Sequence, residues 1–172
     1  MGVRYKGKGD QKDSVGLLIS ILVRYPEVAT INYNPENQLF KFTFMYSQVL
    51  EDYQLDSLKE KITSSIEVYN LLEGREVRLI SLNHQVCDNL TLIEVQRDID
   101  TLAQEEIKLI VELFQQYLNK KLVTEENRRL IEEEQIYQEE MIEHMLDSIR
   151  GSIEGKYLFA FREEGKVLVF NK

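Results

Sequence analysis

Apolar residues recur at helical spacing, then alternate, and that cycle runs twice in the first hundred positions. Between Asp13 and Tyr25, Val15, Leu18, Ile19 and Leu22 form a stripe, which Leu17, Ile21 and Val23 widen almost all the way round. Breadth of that kind predicts a helix covered on more than one side. Asp13 or Ser14 is the expected N-cap, and Pro26 stops the helix because proline disfavours helical geometry in the residue before it. Val28–Tyr33 and Leu39–Tyr46 then read as a hairpin turned by Asn34-Pro35-Glu36-Asn37, with Asn37 expected in the left-handed region. In its second strand Phe40, Phe42, Phe44 and Tyr46 fall on one face and Lys41 and Thr43 on the other. That period of two predicts a strand with its aromatic row in the core.

The second cycle starts at Asp52–Glu73, where Leu55, Leu58, Ile62, Tyr69 and Leu72 keep a seven-residue rhythm and Gly74 follows as the expected C′ residue. Val77–Val86 and Leu90–Arg97 form a second hairpin around Asp88-Asn89, a pair that tolerates positive φ. The Asp-Ser pairs Asp13-Ser14 and Asp56-Ser57 lie 56 − 13 = 43 residues apart. This is a repeat of elements with few identities. The predicted fold class is α+β: two αββ units pairing into one four-stranded antiparallel sheet with both helices on one face. That element order is a circular permutation of the ferredoxin-like βαββαβ sandwich.

Beyond residue 100 the pattern turns helical. Thr101–Lys121 carries Leu102, Ile107, Ile110, Leu113, Phe114, Tyr117 and Leu118 on a broad apolar face, with Glu105 and Glu106 suited to its positive N-terminal end. Thr124 is the expected N-cap of a further helix, Thr124–Ile153. The apolar residues of that helix crowd toward its C-terminal half, while Glu132–Glu134 and Glu139–Glu140 load the rest. Tyr157–Arg162 and Lys166–Phe170 close the chain as a third hairpin with Glu163-Glu164-Gly165 as a three-residue turn. An isolated two-stranded ribbon is barely stable, so this one is expected to dock. The organisation read from the chain is a flexible basic segment (1–12), an αββαββ core (13–100) and a helical extension ending in a hairpin (101–172). The extension is expected to pack on the core or on a second protomer.

Charge narrows the function classes. With 30 acidic against 21 basic residues, the net charge of −9 argues against a general nucleic-acid binder. Val15–Val23 is too short to cross a bilayer, and a lone Cys87 fits a reducing compartment, so a cytoplasmic location is expected. His84 and Cys87 near the second turn supply too few ligands for zinc, and Asp88 disfavours a reactive thiolate there. Glu140, Glu143 and His144 miss the Glu-x-x-His spacing of carboxylate-bridged metal sites. No nucleophile elbow, dinucleotide fingerprint or phosphate loop occurs. The reading is therefore a non-enzymatic interaction or regulatory module without cofactor or metal, associating through its extension and terminal hairpin as a homodimer or with another protein partner. Tyr137, Met141, Met145, Ile149, Tyr157, Phe159 and Phe161 are the interface candidates. The alternative is a sensor or enzyme for a small anionic ligand, with a pocket between sheet and helices and an anion site at Arg4, Lys6, Lys8 and Lys12.

Overall fold

The computed structural model describes residues 9–118, 121–124, 130–153 and 155–171. Its elements run α1 (Gly9–Arg24), β1 (Thr30–Asn34), β2 (Leu39–Tyr46), α2 (Asp52–Leu72), β3 (Ile80–Cys87), β4 (Leu90–Asp98), α3 (Gln104–Leu118), α4 (Glu132–Ile149), β5 (Leu158–Glu163) and β6 (Lys166–Asn171). The protein is α+β, with every strand of the described residues in one antiparallel sheet ordered β3-β4-β2-β1-β5-β6.

The aromatic row of β2 sets the core. Phe40, Phe42 and Phe44 are buried on one face, and the register places Ile31 and Val95 beside Phe42 on that same face. Phe44 stacks on Phe114 of α3 with ring centroids 3.9 Å apart. The helices therefore cover this face, and α4 adds a partial outer layer on α1 and α3.

Six strands replace the expected four because β1 would otherwise leave an open edge facing the first helix. The terminal hairpin fills it, pairing Ile31 with Ala160 and Tyr33 with Leu158, so that both new residues join the core. The broad stripe of α1 is now explained. One side meets β1, β5 and β6, and the other meets α4 of the same chain. Arg162 of β5 seals the join by donating to the Leu22 and Tyr25 carbonyls at 3.3 and 3.2 Å and to the Val28 carbonyl. Carbonyls at the end of α1, left without a helical partner, are thereby satisfied.

Element ends depart from the pattern where tertiary contacts compete. Helix α1 begins at Gly9, ahead of the expected cap, and the Asp13 carboxylate instead accepts the Ser148 hydroxyl of α4 at 2.5 Å. Helix α4 starts at Glu132, not Thr124. Before it the chain is drawn against the end of β2, where Val123 N–H donates to the Met45 carbonyl and Ser47 N–H to the Lys121 carbonyl, each at 2.8 Å. In the first turn Gln38, one residue after Asn37, takes the positive φ of 55°, because Asn37 N–H is held by the Asn34 side chain. The third hairpin turns through two residues, Glu164 and Gly165, at φ 50° and 79°, since Glu163 and Lys166 still pair across the strands. Asp88 does take positive φ, and α2 ends in a Schellman motif. There Arg75 N–H donates to the Asn70 carbonyl and Gly74 N–H to that of Leu71.

Candidate interaction surface

Residues directly opposite in antiparallel strands share a face, so the alternate positions of each strand form the side away from the helices. On β5 and β6 these are Phe159, Phe161, Leu168 and Phe170. Register sets Phe161 beside Thr30 and Phe159 beside Asn32 of β1. The rings associate: Phe159 and Phe161 centroids lie 5.5 Å apart, and Phe161 stacks on Phe170 at 5.7 Å. Phe170 remains 51% exposed. A recess of about 600 Å³ opens against the first two rings, walled by Thr30, Met45, Val123 and Thr124. Apolar area of this kind on the outer side of a sheet marks an interaction surface more often than chance exposure does.

Charge on this face is balanced. Its strand positions include Lys41 facing Glu94 across a 3.5 Å ion pair and Glu163 register-paired with Lys166. The chain as a whole carries −9. Beside the aromatic cluster, β6 is paired on one side only, and its run Val167-Leu168-Val169-Phe170 puts apolar side chains on both faces. Lys166 is its one charged residue, which is thin protection for a strand edge.

The sequence candidates divide. Phe159 and Phe161 lie in the cluster just described, half-buried, and Tyr157 is exposed directly before β5. Tyr137 is 61% exposed on α4, well apart in the chain, and Met141 is half-buried. Met145 and Ile149 are interior, packed with α1 in the seam where Gly16 allows close approach. Arg4, Lys6 and Lys8 lie outside the described residues, as does the side chain of Lys12. Phe170 and Leu168 were missed, although they continue the same two-residue period on the last strand.

A buried ionic network was also missed. Arg97 and Glu106 are both fully buried, and the guanidinium grips the carboxylate through Nε to Oε2 at 2.5 Å and Nη2 to Oε1 at 2.7 Å. Arg97 Nη1 further donates to Asp98 and to the Leu79 carbonyl, and Asn70 Nδ2 donates to Glu106 Oε1 at 2.8 Å. Glu106, read from sequence only as suited to the helix N-terminus, is thus also the counter-ion of a core arginine. The signal was present: Arg97 continues the inward parity of Ile93 and Val95. Burial works against the Asp98 carboxylate, but bonds from the Thr101 hydroxyl, Leu79 N–H and Arg97 together hold it below the ordinary carboxylate range. Burial likewise pushes the Tyr25 phenol up, although the Gln104 amide donates to its oxygen at 2.7 Å. The network joins β4, α2 and α3, and with the Arg97 guanidinium held between the Glu106 and Asp98 carboxylates it is a structural clasp.

Among the described residues no group of His, Cys, Asp and Glu could hold a metal ion, and no helix is long and apolar enough to cross a membrane. No family model, curated protein or solved structure matches the chain.

Proposed function

We propose that this chain is a non-enzymatic interaction module whose recognition surface is the outer face of its C-terminal hairpin, and that its partner is a second copy. The cluster of Phe159, Phe161 and Phe170 on the face opposite the helices carries this reading. Aromatic groups clustered in this way supply the anchor residues of most protein interfaces. Charge is compatible with a second copy at this face. Two chains of net charge −9 repel, and they meet with least cost through a face whose lysines and glutamates are matched. Such a face is also self-complementary under a twofold axis, which brings Lys166 of one copy toward Glu163 of the other. Architecturally, we read residues 13–100 as a permuted ferredoxin-like unit, supported by the order β3-β4-β2-β1, onto which the hairpin adds an edge. A reducing, cytoplasmic setting belongs to this reading and is supported by the single Cys87.

Sedimentation velocity across a wide concentration series tests it. The wild type is expected to shift from monomer to dimer, and Phe170→Lys to raise the dissociation constant by about 100-fold, the loss typical of an interface anchor. Phe170 is half exposed, so the substitution leaves the fold intact. A wild-type monomer at every concentration would overturn the proposal.

A further inference from the structure

A second concavity lies on the helical side, independent of the aromatic face. It opens between α2 and α3 at the end of β2, with a volume of about 260 Å³. Buried Leu50, Leu58 and Leu118 form its floor, and the rings of Tyr46, Tyr53 and Tyr117 stand around it. These tyrosines do not stack on one another; the ring pairs of the described residues lie elsewhere. A slot bounded by unstacked aromatic rings over an apolar floor has room and affinity for a flat ring.

Lys61 stands where this recess meets a second, polar hollow of about 400 Å³ lined by Ser57, Ser64 and Ser65. Its ammonium sits 5.0 Å from the centroid of the Tyr117 ring, which holds it at the junction. Lys61 takes part in no ion pair among the described residues. Ser57 and Lys61 are one helical turn apart, so a hydroxyl and the ammonium reach the same point. An apolar aromatic half joined to a half with one cation and hydroxyl donors selects an amphipathic ligand with one acidic group.

We propose that the α2–α3 cleft binds a small aromatic monocarboxylate, its ring between the tyrosines and its carboxylate on Lys61 and Ser57. Size sets the upper limit. Ligand pockets generally span roughly 300–1,000 Å³, so the recess takes one ring with a short side chain. Charge sets the other. Glu60 also lines the polar hollow and repels any anion, and a dianion such as a phosphate monoester meets about twice the repulsion of a monocarboxylate and a larger desolvation cost.

Phenylacetate is the probe, and titration followed by ¹H–¹⁵N correlation spectra reads its binding on the full chain. Tyrosine emission is a parallel readout, because the chain has nine tyrosines and no tryptophan. Phenylacetate is expected to bind saturably with a Kd of about 1 mM or tighter, shifting residues of α2 and α3. Lys61→Met should weaken it by about tenfold, the loss of one charge-assisted hydrogen bond, while Lys61→Arg keeps it. Phenylacetamide, with the ring but no charge, should bind no better than Lys61→Met binds phenylacetate. Absence of saturation, or equal binding of acid and amide, overturns the assignment. Unchanged affinity in Phe170→Lys separates this site from the dimer surface.

Discussion

Replacing Glu106 with Gln keeps the side chain's shape and removes its charge, which isolates what the buried clasp contributes. Both Glu106 oxygens are acceptors in the native protein: Oε1 receives Asn70 Nδ2 and Arg97 Nη2, and Oε2 receives Arg97 Nε. An amide has one oxygen. Whichever way it is turned, its NH₂ faces an N–H donor, and the fully buried Arg97 is left with Asp98 as its only counter-charge. Breaking a buried pair from one side costs about 3–5 kcal/mol. A domain's total stability is about 5–15 kcal/mol, so the loss is a large share of it. With a urea m-value near 2 kcal/mol/M, the unfolding midpoint should fall by roughly 2 M. Circular dichroism in urea at neutral pH measures it. The double variant Arg97→Met/Glu106→Leu removes both charges and should recover at least half of that loss, because Asp98 keeps the Thr101 and Leu79 donors. A Glu106→Gln loss below about 1 kcal/mol would show that the pair is not a clasp. A double variant weaker than the single would show that the pair contributes net stability.

Other perturbations probe other joints. Gly16→Ala places a methyl 3.1 Å from the Met145 sulfur, and a flexible thioether yields, so the gain in helix propensity should leave the stability, measured by thermal unfolding, unchanged or raised by up to about 1 kcal/mol. Gly16→Leu should instead wedge α1 from α4 and cost about 1–3 kcal/mol; equal behaviour of the two variants would deny the close seam. Gly74→Ala has open space around it but a φ of +75°, so thermal unfolding should show a loss of about 1 kcal/mol from backbone strain alone. Asp98→Asn should cost roughly 1.5–3 kcal/mol at pH 7. Because the folded carboxylate sits below its unfolded value of about 4, its contribution is complete above that pH and disappears as pH falls through the lower folded value. Wild-type and variant stabilities should therefore converge in acid, and a constant offset down to pH 2 would contradict the assignment.

The proposed interface and the proposed cleft differ in how visibly the chain announced them. Phe159 and Phe161 could be singled out from the alternation of the last hairpin, and their place on the outer face follows from a strand having two faces and the core needing one. Met145 and Ile149 carry the same apolar signal and are interior, because α1 presents a matching stripe with Gly16 at the crossing. Apolar character alone does not separate core from interface. The cleft was harder to see: Tyr46, Tyr53, Lys61 and Tyr117 come from three elements, and only packing gathers them.

By itself, the order of apolar and polar residues determined the elements, the inward aromatic row of β2 and the need for cover around α1. These depend on local periodicity, which any folded arrangement must respect. The tertiary structure decided that the hairpin completes β1, that α4 returns to its own α1, and that Asp13 leaves its capping role for a contact with Ser148. It also decided that Glu106 faces inward. Each of those outcomes weighs a local preference of about 1 kcal/mol against burial and pairing with partners far along the chain, where the larger energies lie.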